Sequence, residues 1–329
     1  MTSHRIAGLA FGAALAAALV VPAQAQQRVS VYTAHTANIV ETLIPHFEKA
    51  TGMKADVVKA GSGDIINRVR AEAANPKADV IWSIGAELLE ANADLLEPYT
   101  PKEYDQIADA FKGGKAWLPY TGIVNVIMVN TRKLKPEDYP KSWADLANPK
   151  YKNQISFAAA DKSGSAYMQL NTFLTIYGDN DAGWAKFKSV FSNLNISNSS
   201  GAVPRFVNDG EAAIGVTLED NAWLFVKGGG PVAILYPEDG TSAIADGMAL
   251  VKRAPNAAAG KVFLDWAISA PVQELVVQEL GRRPIRKDAK PMGSLKPLNQ
   301  IKLVNYDIKK AADKRKEYMA KWNDLMLTR

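Results

Sequence analysis

The chain reads as an α/β protein of two lobes, each a mixed, mostly parallel sheet flanked by helices, with a cleft between them. Short apolar strands alternate with amphipathic helices from residue 29 onward. The alternation resumes after a long apolar strand that begins near Gly122. With 329 residues and 0 cysteines, the molecule has room for two ordinary domains and must be held together by packing rather than by disulfides.

Val29 to Thr33 reads as the first strand. Asn38 to Ala50 follows as a helix, with Asn38 and Glu41 at capping-box spacing, Val40, Leu43, Ile44 and Phe47 on one face, and Gly52 as its stop. Lys54 to Lys59 is the next strand, Ser62 to Ala74 the next helix, and Ala78 to Trp82 the third strand. Strands separated by helices lie parallel, and ligands of such sheets bind beyond the carboxyl ends of the strands. Here those ends are Thr33-Ala34-His35, Ala60-Gly61-Ser62 and Ser83-Ile84-Gly85, all rich in small polar residues. The second region takes strands at Gln154 to Ala158, Asn195 to Ser199 and Ala212 to Leu218, with a helix from Ser165 to Tyr177 stopped by Gly178. Gly247 to Lys252 reads as a return strand, followed by helices at Asn256 to Ser269 and Pro271 to Leu280, the latter ended by Gly281. A last helix, Tyr306 to Leu325, turns Ile308, Ala311, Ala312, Tyr318, Met319 and Trp322 inward and its lysines to solvent.

Residues 1–25 read as a cleavable export signal. Arg5 precedes the apolar Ile6 to Val21, and Ala23-Gln24-Ala25 has the small-x-small form of a cleavage site. The expected compartment is the periplasm. The formal net charge of +5 favours small anions, but its Lys and Arg are interspersed with acids, which excludes a nucleic-acid surface.

Two loops enter helices through small hydroxyl residues and glycine: Gly61-Ser62-Gly63-Asp64, and Ser163-Gly164-Ser165 before an apolar run. Such entrances carry unpaired N–H groups and the positive end of the helix dipole, so both favour an anion. No nucleophile elbow, His-Glu-x-x-His pattern or cysteine nucleophile occurs, and the chain reads as a binder rather than an enzyme, without a cofactor or a metal.

Several stretches in order resemble the periplasmic solute-binding proteins of ABC importers, in the branch that includes ferric-iron-binding proteins. They are Val31 to His35, Gly61 to Gly63, Ala78 to Trp82, Ser163 to Ser165, Val207 to Glu211, Tyr236 to Gly240 and Gly281 to Arg286. The resemblance implies a type II periplasmic-binding-protein fold whose lobes close over a ligand, and a membrane permease as partner to a monomer. It implies the boundaries 26–122 plus about 245–285 for the first lobe and about 123–244 plus 286–329 for the second. Ser163, Gly164 and Ser165 match the segment that holds a phosphate beside the metal in ferric relatives. Those relatives carry adjacent tyrosines where this chain has Leu218-Glu219-Asp220-Asn221, and this chain has no adjacent tyrosines. The cargo expected is therefore a phosphorylated or phosphonate-bearing organic anion, such as a sugar phosphate or 2-aminoethylphosphonate. Ferric iron held by carboxylates and His35 is the alternative.

The candidate ligand-binding residues are Thr33, His35, Ser62, Gly63, Ser83, Ser163, Gly164, Ser165, Ser200, Glu219 and Asp220. Glu219 and Asp220 are assigned to the end of the ligand away from its phosphoryl group. Trp82 is expected in the core, His46 at the surface, Gly228 to Gly230 and Glu238 to Gly240 in turns, and Arg283 and Arg286 in structural roles.

Overall fold

The computed structural model describes residues 27–328. The proposed signal, residues 1–25, lies outside the described residues. In chain order the elements are β1 (Arg28–Thr33), α1 (Ala37–Thr51), β2 (Lys54–Lys59), α2 (Ser62–Ala71), β3 (Val80–Gly85), α3 (Ala86–Glu90), β4 (Leu96–Glu97) and β5 (Leu118–Asn130). There follow β6 (Ile155–Ala158), α4 (Gly164–Tyr177), α5 (Asp181–Phe191), β7 (Leu194–Ser197), α6 (Ala202–Asn208), β8 (Ile214–Leu218), α7 (Glu219–Lys227) and β9 (Val232–Leu235). The chain returns through β10 (Ala243–Val251), α8 (Ala257–Ile268) and α9 (Ala270–Leu280), and ends on α10 (Ile308–Leu327).

The strand order β2-β1-β3-β10-β5-β8-β6-β7 runs through both lobes, with β4 beside β10 and β9 beside β5. β1 is parallel to β2 and β3, and β6 is parallel to β7 and β8. β5 is the strand common to both lobes. Its Leu118 to Val124 pairs with β10 of the first lobe, and its Asn125 to Val129 pairs with β8 of the second, antiparallel in each case. A strand buried along its whole length, as β5 is, makes a continuous apolar run rather than an alternating one.

Each lobe has its own core. Val29, Leu43, Phe47, Trp82 and Phe263 pack together in the first, and Ile155, Tyr167, Phe187 and Trp322 in the second. Among the described residues no helix is long and apolar enough to cross a membrane. α10 lays Ala311, Tyr318 and Trp322 on the second core, while Ile308 packs against the first lobe. The connection before it belongs to neither lobe alone: the Lys287 amide donates to the Gln106 carbonyl of the first lobe.

Local details differ from expectation where tertiary context decides them. α1 starts one position before Asn38, with Thr36 as N-cap and no capping side-chain bond, because the chain turns directly out of β1. α5, α6, α7 and β9 carry mixed polar and apolar residues whose burial is set by their neighbours, and none was marked as an element by periodicity alone. Trp82 is fully buried and His46 is exposed.

Candidate functional site

A cavity of about 480 Å³ opens between the lobes. The first lobe lines it with the ends of its three parallel strands: Ala34 and His35 after β1, Lys59 to Ser62 after β2, and Ser83 and Gly85 on β3. The second lobe contributes Lys162 to Ser165 and Asn198 to Gly201. Ligands of parallel sheets bind at strand ends because loops and helix N-termini converge there.

The two glycine-serine entrances, far apart in sequence, face each other. A Cβ built on Gly164 would lie 2.9 Å from Ser62 Oγ, so α2 and α4 begin at a common point. The lobes touch there. A Cβ on Gly61 would meet the Lys162 carbonyl oxygen at 2.7 Å, and one on Gly63 would meet that of Asp161 at 2.8 Å. Only glycine permits so close a backbone approach. Ser163 caps α4, its Oγ accepting from the Ala166 amide at 3.3 Å and lying 3.0 Å from Ser165 Oγ. The first-turn amides of α2, and those of Gly164 and Ser165 in α4, have no carbonyl partner within their helices and remain to serve an anion. Lys59, Lys162 and Arg282 supply positive charge to the lining.

His35 is nearly buried, edge-on to Trp82 at 4.4 Å and to Tyr120 at 5.5 Å between ring centroids. Burial, with the Arg282 charge adding to it, holds its pKa well below the ordinary histidine value, so the ring is neutral at neutral pH. Neither ring nitrogen has a hydrogen-bond partner among the described residues.

Seven of the candidate residues line the cavity: His35, Ser62, Ser83, Ser163, Gly164, Ser165 and Ser200. Thr33 stands just behind it, fully buried, its Oγ1 accepting the His35 amide at 3.1 Å. Gly63 serves the contact between lobes. The assignment of Glu219 and Asp220 to the ligand is corrected by the ion pairs they make. Arg283 grips Glu219 with two bonds of 2.7 Å, and the Tyr236 hydroxyl donates to the same carboxylate. Asp220 lies 2.9 Å from Arg282 Nε, an ion pair without hydrogen-bond alignment. A buried charge must be paired, and the consecutive arginines after α9 answer the consecutive acids that open α7. Arg286 is likewise structural, bonded to Asp288 at 2.8 Å and to Glu103.

Two lining residues, Arg282 and Asp246, were not singled out from the sequence. Arg282 follows Gly281, whose φ of 64° ends α9 and whose missing Cβ makes room for the Trp223 ring. The signal available was the pairing of Arg282-Arg283 with Glu219-Asp220, two charged couples in otherwise apolar surroundings.

The profile of the bacterial extracellular solute-binding protein family matches residues 75–311. The chain belongs to that family. This solute-binding protein is 33% identical to a Haemophilus influenzae "Uncharacterized protein", with 94% of each chain covered. It is 25% identical to "Iron uptake protein A1" of Synechocystis, covering 82% of this chain and 81% of that one. Against the "Putative 2-aminoethylphosphonate-binding periplasmic protein" of Salmonella typhimurium the identity is 27%, over 74% and 73% of the two chains. Among solved structures, the periplasmic binding protein AfuA of Actinobacillus pleuropneumoniae, with fructose-6-phosphate bound, superposes with a TM-score of 0.86 at 28% identity. The match covers 91% of this chain and 98% of that one. The family is one of non-catalytic, periplasmic binding components of ABC import systems, and the two-lobe architecture is that of its type II members.

Proposed function

We propose that this solute-binding protein captures a phosphoryl- or phosphonyl-bearing organic anion between its lobes and delivers it to an ABC permease. The observation that carries the reading is the meeting of two helix entrances on the cavity wall, with Ser62 Oγ 2.9 Å from where a Cβ on Gly164 would stand. The anion would be seated by the Ser62 and Ser165 hydroxyls and the first-turn amides of α2 and α4, with Lys59 and Lys162 nearby. Hydrogen bonds to a charged partner contribute about 1.5–3 kcal/mol each, so a few support micromolar binding at about −8 kcal/mol. The fructose-6-phosphate bound to AfuA and the name of the Salmonella relative support this chemistry. The protein would act as a monomer, exported by residues 1–25, with lobe boundaries near 123, 245 and 286.

Ferric iron is the second reading, because similar proteins whose names state iron are the more numerous. Against it stands the donor set. Glu219 and Asp220 are engaged by arginines, and among the described residues no three His, Cys, Asp or Glu side chains stand together to hold a metal ion. Calorimetric titration with glucose 6-phosphate, inorganic phosphate and ferric citrate separates the readings. Glucose 6-phosphate is expected to bind at micromolar concentration or tighter, and Ser165→Ala to weaken it by about 1.5–3 kcal/mol, roughly tenfold or more. Tight ferric binding with no response to either phosphoryl compound would overturn the proposal.

A further inference from the structure

A carboxyl group lies behind the cavity wall without a partner. Glu87, in the single turn of α3, has no solvent exposure, and neither of its carboxylate oxygens has a hydrogen-bond partner among the described residues. Buried carboxylates are ordinarily paired, because an unpaired charge in the interior is costly. Two glycines set the place of this one. A Cβ built on Gly85 would stand 2.5 Å from Glu87 Oε1, so the carboxyl rests against the backbone of a residue that lines the cavity. A Cβ on Gly164 would in turn stand 3.6 Å from the Gly85 amide nitrogen and 2.9 Å from Ser62 Oγ. Glu87 is therefore packed behind the point where the α2 and α4 entrances meet.

Its surroundings leave it free to titrate. α10 faces it with Arg315, β10 with Asp246, α4 with Tyr167 and the segment before α10 with Tyr306, while β3 carries no titratable side chain. The Arg315 guanidinium lies 4.4 Å over the Tyr167 ring, and its Nη1 has no hydrogen-bond partner among the described residues. Burial holds both tyrosines above their ordinary value, so they stay neutral. For Glu87, burial favours the protonated form and Asp246 adds to it. Together they outweigh the pull of the Glu87 amide and of Arg315, and the pKa is pushed up to about 7.

We propose that Glu87 couples cargo binding to proton uptake: when a phosphoryl dianion settles where the two entrances meet, the Glu87 carboxylate takes one proton from solvent. This rests on the phosphoryl reading and adds regulation to the same site. A dianion on the order of 10 Å from a carboxyl inside a protein raises its pKa by about one unit or more. Between about pH 7 and the higher pKa of the complex, the bound state keeps a proton that the empty state has lost. Below that window Glu87 is neutral in both states and does not oppose the cargo. As pH rises through it, affinity falls, because the dianion must either recruit the proton or meet a like charge. The protein thus captures its cargo at neutral to mildly acid pH and loosens its hold at alkaline pH.

Glucose 6-phosphate serves as the probe, since the second ionisation of a phosphate monoester, near about pH 6, is complete by about pH 8. Titration calorimetry at pH 8 in two buffers of different ionisation enthalpy reads the protons taken up. Wild type should take up about 0.4 or more per cargo bound, and Glu87→Gln about 0.1 or less. Glu87→Gln, which stays neutral, should bind at least about fivefold tighter than wild type at pH 8 and within about threefold of it at pH 5.5. A merely structural role would shift both pH values alike. Binding without proton uptake, or an uptake unchanged in Glu87→Gln, overturns the coupling and leaves the phosphoryl reading standing. If Glu87→Gln does not fold, wild type decides: no uptake at pH 8 overturns the coupling, and uptake at pH 8 with none at pH 5.5 supports it. If neither glucose 6-phosphate nor inorganic phosphate binds wild type at either pH, the phosphoryl reading falls and the coupling with it, an outcome distinct from the others.

Discussion

Glu219 shows how a residue legible as chemistry can be misread as to partner. An acidic pair at a strand end, in a family whose ferric members place ligands there, suggested contact with cargo. The sequence carries no distance between Glu219 and Arg283, and the two are brought together only when α7 of one lobe meets the segment after α9 of the other. Removing one partner from a buried ion pair leaves the other charge uncompensated, at a cost of about 3–5 kcal/mol. Glu219→Gln is accordingly expected to lower the unfolding free energy in urea by an amount of that order. The affinity for glucose 6-phosphate, measured under conditions where the variant is folded, should stay within threefold. A large affinity loss without destabilisation would return Glu219 to the ligand. Ser62 and Ser165, by contrast, were legible because a helix entrance is a local feature: four or five residues fix the turn, the cap and the direction of the amides.

At the scale of elements, the alternating segments with strong periodicity or clear stops were readable, from β1 through β3 and from α8 to α9, and in the face of α10 that carries Tyr318 and Trp322. α3 was not, being one turn long and nearly all buried. It carries Glu87, fully buried at the junction of the lobes with neither carboxylate oxygen hydrogen-bonded to a neighbour among the described residues. Tyr167 of α4, Tyr306, Arg315 of α10 and Asp246 of β10 are the groups that act on it electrostatically. Burial pushes its pKa up to about 7 from 4.5. The folded state therefore keeps a proton that the unfolded chain gives up. Stability from this group is fully present below pH 4.5 and is lost as pH rises to about 7, a total of about 3 kcal/mol. Glu87→Gln cannot release that proton. Relative to wild type it should gain about 3 kcal/mol on going from pH 4.5 to pH 8 in paired urea titrations. A difference that does not change with pH would show that Glu87 is solvated in the folded protein.

For the whole molecule, the sequence could indicate two lobes and a cleft but not how the lobes meet, since contact across a cleft leaves no periodic trace. The glycines of Gly61-Ser62-Gly63 were read as helix-entrance chemistry. In the structure they are also the places where one lobe's backbone passes the other's, and Gly63 has room for no Cβ beside the Asp161 carbonyl. Gly63→Ala should leave the fold intact, because alanine in the first turn of α2 is a better helix former by up to about 1 kcal/mol. It should hold the lobes apart. Small-angle scattering during titration reads cargo binding and lobe closure together. Glucose 6-phosphate is expected to lower the radius of gyration of wild type to a saturating value, ferric citrate is not, and Gly63→Ala is expected to stay extended with either. Compaction driven by ferric citrate, or an unchanged radius at saturating glucose 6-phosphate, would contradict closure on a phosphoryl cargo.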